Sequence, residues 1–123
     1  AEEIDRLVSA QARGRWCEHT ASCDPTYSST GLLRAPTGVM KDYSRCRESG
    51  DDWYDPSLIA SSVLIVVGEL DIETTPAQGK RVFERLTAAP HKQITVIGAG
   101  THSLLLENNR HQLHRVVSSF LLD

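Results

Sequence analysis

An aspartate and a histidine each stand a few residues beyond an apolar run, and that placement is where chemistry can be read from this chain. Asp71 closes Gly68-Glu69-Leu70-Asp71, after Ser62-Val63-Leu64-Ile65-Val66-Val67. His102 lies in Gly98-Ala99-Gly100-Thr101-His102-Ser103, after Gln93-Ile94-Thr95-Val96-Ile97. A carboxylate that accepts from Nδ1–H fixes a histidine's tautomer and leaves the other ring nitrogen facing a nucleophile. Imidazole suits proton transfer because its pKa lies near neutral pH. Carboxylate and imidazole so paired are two members of a nucleophilic triad.

The elements that would bring them together follow from the flanking residues. Val63 to Val67 is a continuous aliphatic run, mostly β-branched, which predicts a strand covered on both faces, as in a parallel sheet. Ile94 to Ile97 predicts a second such strand. Between them Thr75 can cap a helix whose first residue is Pro76; it is expected to end near Leu86 and to bury Ala77, Val82, Phe83 and Leu86. Strand, crossover helix and parallel strand place both post-strand loops at one end of the sheet, where open α/β sheets keep their ligand crevice. A last helix, capped between Glu107 and Asn109, is predicted to run to Leu122 with an apolar stripe of Leu113, Val116, Val117, Phe120 and Leu121.

The first half differs in texture. Apolar spacing at Ile4, Leu7 and Val8 predicts a helix over residues 2–13, with Gly14 as its stop. Residues 15–52, rich in Gly, Pro, Ser and Thr, predict an irregular, partly helical surface layer, with short helices near 29–33 and 39–46. Two domains are therefore expected: a partly helical surface region over residues 1–54 and a core segment over 55–123.

From Asp55 onward the sequence resembles the carboxyl-terminal half of the α/β-hydrolase fold. The resemblance rests on the apolar strand Val63–Val67, the Gly68-x-x-Asp71 turn, the Thr74-Thr75-Pro76 helix start, the strand Ile94–Ile97, the glycine loop carrying His102, and the final helix. It implies Asp71 as the acid, His102 as the general base, and a helical lid or cap over residues 1–54. It also implies acyl transfer to water from an ester, thioester, lactone or amide, with neither metal nor organic cofactor required. In many members the histidine directly follows a glycine, whereas here Thr101 intervenes. The family's strand–turn–helix nucleophile elbow, Gly-x-Ser-x-Gly, does not occur in the chain. The expectation is accordingly a second chain, the amino-terminal half of the same hydrolase, supplying the serine. The start at Ala1-Glu2-Glu3, with no initiator methionine, is read as a processed, nicked or truncated piece. An acyltransferase, or a non-catalytic binding protein on the same fold, are the alternatives.

Composition limits other classes. A net charge of −3, with no clustered basic stripe, gives no nucleic-acid footprint. No apolar run approaches membrane-spanning length, and no signal-peptide pattern opens the chain. Cys17, Cys23 and Cys46 are odd in number, which favours free thiols in a reducing, cytoplasmic setting. With His19 they match no common zinc spacing, although a metal-binding module remains a third reading. His111 and His114, three apart on a helix, read as a solvated face before a metal pair, and His91 as a loop residue. Glu69 and Glu73 compete with Asp71 for the acid's role. Asp71 could instead serve only to cap the next segment, and His102 to bond backbone. Ser103 adjoins His102 in sequence, but sequence neighbours rarely face one another. Trp16, Tyr27, Met40, Trp53 and Tyr54 are assigned to packing the lid, to lining an apolar substrate pocket, or to both.

Overall fold

A proline-started helix links two parallel strands, and this crossover positions everything of chemical interest. The computed structural model describes residues 6–49 and 53–122. In chain order the elements are helices α1 (Ala10–Ser22), α2 (Tyr27–Thr30) and α3 (Gly38–Ser49), a 3-10 turn at Pro56–Leu58, strand β1 (Val63–Gly68), helix α4 (Pro76–Arg85), strand β2 (Lys92–Ile97) and helix α5 (Arg110–Leu122). Two compact units result, one of Gly14–Asp55 and one of Ala1–Arg13 with Pro56–Asp123. The chain is thus a small mixed α/β protein with one parallel strand pair among the described residues.

In the second unit β1 and β2 pair in register from Val63↔Lys92 to Gly68↔Ile97. α4 begins with a full capping box: Gln78 N–H donates to Thr75 Oγ1 at 3.3 Å, and Thr75 N–H donates to Gln78 Oε1 at 2.6 Å. The buried residue that brings this helix down onto the sheet is Gly79. A Cβ there would stand 3.1 Å from Val67 Cγ1 and 3.6 Å from both Ile65 and Ile94 methyls. Ala77, expected on the buried face, is exposed; Val82 and Phe83 are half-buried and Leu86 is fully buried. At the foot of β2, Lys92 lays its ammonium 4.7 Å from the Phe83 ring centre and donates to the Phe83 carbonyl at 2.9 Å. A cation is favourable there because the carbonyls at a helix end carry partial negative charge. His91, the loop histidine, stacks on Phe120 of α5 with ring centres 5.3 Å apart.

The core comprises Val8, Val67, Leu86, Ile97 and Leu104. The expectation of strands buried on both faces holds only at their carboxyl ends. Residues 63–66 and 92–95 are half-buried, and Val96 is 49% exposed. Two strands, both contacted by α4 and by α5, leave both outer edges open among the described residues. The α5 stripe is likewise half-buried at Leu113, Val116, Val117 and Phe120, and Leu121 is exposed.

The predicted helix over residues 2–13 needs correction. Its residues 2–5 lie outside the described residues; residues 6 and 7 are helical, and the chain then breaks. Ser9 caps a new helix by accepting from Ala12 N–H at 3.2 Å, and α1 passes straight through Gly14 to Ser22. A glycine ends a helix by adopting positive φ. Gly14 does not; Gly31 does, at φ 66°, and caps α2 through its N–H to the Tyr27 carbonyl at 2.8 Å.

Within Gly14–Asp55, Asp24 holds the loop between α2 and α3. Its carboxylate accepts from Thr26 N–H (2.9 Å) and Oγ1–H (2.8 Å), and from Arg34 N–H (2.8 Å) and guanidinium (3.1 Å). The Arg34 guanidinium and these neighbouring donors hold the Asp24 carboxyl well below the usual carboxylate range. Among the described residues, no helix is long and apolar enough to cross a membrane.

Candidate active site

The turn after β1 and the loop after β2 are joined along their backbones. Glu69 N–H donates to the Ile97 carbonyl at 2.9 Å, continuing the strand ladder by one bond, and Leu70 N–H donates to the Gly100 carbonyl at 2.8 Å. Gly68 and Gly100 permit this approach. A Cβ on Gly68 would overlap the Gly100 carbonyl and stand 2.7 Å from the Thr101 oxygen, and a Cβ on Gly100 would overlap Leu104. Ala99 turns the second loop at φ 52°, and its N–H is held by Glu69 Oε2 at 2.9 Å.

That joint sets the carboxylate and the imidazole side by side. His102 Nδ1 lies 3.1 Å from Asp71 Oδ2. The other oxygen, Oδ1, accepts from Glu73 N–H at 2.9 Å and Thr74 N–H at 2.8 Å. One face of the carboxylate is thus fixed by its own turn and the second is left for histidine. Asp71 is buried, whereas the His102 side chain is 52% exposed. Burial pushes the Asp71 carboxyl up, but the bonds from Thr74, His102 and Glu73 together outweigh it and hold the group below its ordinary value. His102 is raised, chiefly by its bond to Asp71, against some desolvation and with help from the Asp71 and Glu73 charges. Nε2 lies 3.9 Å from Oε2 of the exposed Glu73 side chain. This arrangement fixes the tautomer and leaves a ring nitrogen available to exchange a proton.

The three acids that competed for one role have separate positions. Asp71 meets the imidazole at Nδ1, Glu69 holds the loop backbone at Ala99, and Glu73 stands near Nε2. Ser103 is exposed and bonds through its own N–H to Thr101 Oγ1 at 3.2 Å. The five residues assigned to packing or a substrate pocket, Trp16, Tyr27, Met40, Trp53 and Tyr54, are all exposed, from 38% for Tyr27 to 67% for Met40. None of them belongs to a packed core.

Glu107 did not stand out in the sequence, where it reads only as a place for the last helix to begin. It is 1% exposed, and its carboxylate accepts from both the N–H and the hydroxyl of Thr101, the residue before His102. The sequence signal was an acid set directly after Leu104-Leu105-Leu106. Asn109, expected to cap α5 with its side chain, instead donates Nδ2–H to the Gly98 carbonyl at 3.0 Å, and its Oδ1 is buried without a hydrogen-bond partner among the described residues.

Cys17 and Cys23 are exposed free thiols, Cys46 is a half-buried one, and Cys23 Sγ lies 4.0 Å from His19 Nε2. His111 Nδ1 faces the Asn108 carbonyl at 3.3 Å. Among the described residues, no group of three or more His, Cys, Asp or Glu side chains is gathered as a metal site would require. Comparison with protein-family models, with curated proteins and with solved structures finds no match to this chain.

Proposed function

We propose that this chain is the acid- and base-bearing part of an α/β-hydrolase that splits an ester, thioester, lactone or amide. The observation that carries the reading is the 3.1 Å approach of His102 Nδ1 to Asp71 Oδ2 at the carboxyl ends of two adjacent parallel strands. In this mechanism a serine hydroxyl from a companion amino-terminal half attacks the substrate carbonyl. His102 Nε2 removes the hydroxyl proton and then delivers it to the departing alkoxide, thiolate or amine. Water repeats the sequence on the acyl-enzyme and regenerates the serine. Asp71 keeps Nδ1–H directed at itself and stabilises the imidazolium in each half-reaction.

The sheet supports a companion segment. Val63 to Val67 of β1 carry only aliphatic side chains, while β2 includes Lys92, Gln93 and Thr95. Edge strands are ordinarily guarded by charge or polarity, so β1 has the unguarded edge and is the place for a further strand to join.

The test is intact-mass analysis of the protein from its natural source, followed by reaction with a fluorophosphonate and with p-nitrophenyl acetate. A co-purifying polypeptide whose serine takes the phosphonate, and whose labelling and ester turnover disappear with His102→Ala, is the expected result. A companion with no reactive nucleophile, or turnover indifferent to His102, would reject the proposal.

A further inference from the structure

We infer that Glu107 is a positioning residue for His102: its buried carboxylate clamps Thr101 by the backbone and the hydroxyl, and so sets the imidazole against Asp71. The inference rests on the reading of His102 as the working base, and it adds a fourth residue to that arrangement.

The geometry leads to Glu107 in three steps. First, the loop from Gly98 to Leu106 is tied at its start by Asn109 Nδ2–H on the Gly98 carbonyl at 3.0 Å and packed at buried Leu104, and between these points Glu107 holds Thr101. The loop's near side is bonded to the acid turn through Gly100 and Ala99, both before Thr101. After His102, the chain makes a turn in which Leu106 N–H reaches the Ser103 carbonyl at 2.8 Å and Glu107 N–H reaches the Leu104 carbonyl at 3.3 Å. These bonds are local to the turn and fix nothing relative to β1. Glu107 supplies the tie across it.

Second, the carboxylate is used on several sides. Oε1 accepts from Thr101 N–H at 2.9 Å and Oε2 from the same N–H at 3.2 Å, while the Thr101 hydroxyl makes a short contact with Oε1. The Thr101 hydroxyl oxygen in turn accepts from Ser103 N–H, so the residues on both sides of His102 are held through one side chain. A buried carboxylate is costly unless donors surround it, which makes one a poor choice for mere filling.

Third, Glu107 is itself fixed. Its carbonyl accepts from Arg110 N–H at 3.2 Å and from Arg110 Nη1 at 2.9 Å. The next residue, Asn108, donates its N–H to the Leu7 carbonyl at 2.8 Å and Nδ2–H to the Arg6 carbonyl at 3.1 Å. Besides its own N–H on the Leu104 carbonyl, the clamp is therefore anchored outside the loop, to α5 through Arg110 and, through its neighbour Asn108, to the segment at residues 6–7.

The charged groups facing the imidazole are Asp71 at Nδ1 and Glu73 near Nε2. Glu107 touches neither nitrogen, so it acts on His102 through Thr101 alone. Its removal should free the loop, lengthen the Nδ1–Asp71 contact and lower the affinity of the ring for a proton.

Histidine-selective NMR on the full chain reads this directly, without any substrate. With Glu107→Ala, the His102 pKa should fall toward the ~6.5 of an unperturbed imidazole. The slowly exchanging Nδ1–H signal should vanish, while the amide shifts of Ile65 and Ile94 stay in place. Glu107→Gln, which keeps an acceptor for Thr101 N–H, should restore most of the shift. Should Glu107→Ala not fold, Thr101→Val removes only the hydroxyl arm and should give a partial fall. An unchanged His102 pKa and an intact Nδ1–H signal in the folded variant would overturn the inference. Because the readout is the tautomer and not turnover, an inactive complex would count against the hydrolase reading alone, and a rigid His102 in Glu107→Ala against this one alone.

Discussion

Leu70 donates its backbone N–H to the carbonyl of Gly100 at 2.8 Å, so the turn bearing Asp71 and the loop bearing His102 are bonded to each other one and two residues before those side chains. The backbones that carry carboxylate and imidazole are consequently held together directly, and the Glu69 and Glu107 side chains add further ties to the histidine loop. Such pre-arrangement lets a base act without reorganising during the reaction.

Substitution at Gly68 should expose that dependence. In Gly68→Ala the new methyl meets the Gly100 carbonyl and stands 2.7 Å from the Thr101 oxygen, and backbone cannot swing aside as a flexible side chain would. A loss of ~1–3 kcal/mol in stability is expected, the usual range for forcing atoms into a filled site. Denaturant melts measure the loss, and NMR of His102 should show the contact to Asp71 weakened. A variant as stable as the parent, with that contact intact, would mean that the two turns do not depend on close approach.

On the proposed mechanism, turnover should respond sharply to the two paired residues. His102→Ala removes the proton carrier, and Asp71→Asn presents an amide that favours the wrong tautomer. Losses in kcat of roughly four to six orders of magnitude are expected in p-nitrophenyl acetate hydrolysis. Asp71→Asn should also leave a donor where the N–H groups of Glu73 and Thr74 need an acceptor, or turn that donor on His102. Rates within tenfold of the parent for either variant would remove that residue from the mechanism.

The parts of this arrangement visible in the sequence were those with a local cause. A run of β-branched residues makes a strand, a threonine before a proline starts a helix, and both are written within a few positions. Asp71 and His102 were legible for the same reason, since each follows a strand directly. Glu107 was not, because its partner Thr101 is reached only after the Leu104-Leu105-Leu106 turn folds back. Gly14 misled because a glycine tolerated inside a helix and one that ends it look alike until φ is known. The open faces of β1 and β2 reflect a property no local pattern contains: how many strands lie beside them.

The pH profile follows from the charges around His102. Its pKa is raised from 6.5, first by the bond to Asp71, while Asp71 is lowered and stays ionised throughout the neutral range. The base must be neutral to accept a proton, so kcat/KM should climb through a midpoint above ~6.5. Glu73 adds charge near Nε2, and Glu73→Gln should move that midpoint to lower pH, more clearly at low salt because both side chains are exposed. The stability linkage has the matching sign. The raised histidine contributes most below ~6.5 and loses that contribution as pH rises through its folded value. A midpoint that shifts upward or stays fixed in Glu73→Gln would show that this carboxylate does not act on the ring.

Crossover helix α4 should be the next most sensitive element. Thr75→Ala deletes one half of the capping box and leaves Gln78 N–H without its acceptor. A cost of ~1 kcal/mol is expected, read as a shift in the denaturation midpoint with unchanged slope. The Asp71–His102 contact should survive, because Oδ1 is held by Glu73 and Thr74 and not by the cap. Thr75→Ser, retaining the hydroxyl, should recover most of the loss. Equal melts for Thr75→Ala and the parent would mean that the reciprocal bonds contribute nothing.

Hydrogen exchange along β1 tests the proposal that a companion strand joins there. Val63 N–H donates to the His91 carbonyl and Glu69 N–H to the Ile97 carbonyl, so odd-numbered amides of this stretch face β2. Alternation along a strand turns the Leu64 and Val66 amides to the opposite edge. In the isolated chain these two should exchange quickly while Ile65 and Val67 are protected. On addition of the companion half, Leu64 and Val66 should gain protection of roughly a hundredfold or more, the level expected of amides entering a stable ladder. The outer amides of β2 should change far less, because Lys92 is already occupied with Phe83 at that strand's foot. Protection arriving on β2 instead, with Leu64 and Val66 still exchanging freely, would reverse the assignment of the open edge.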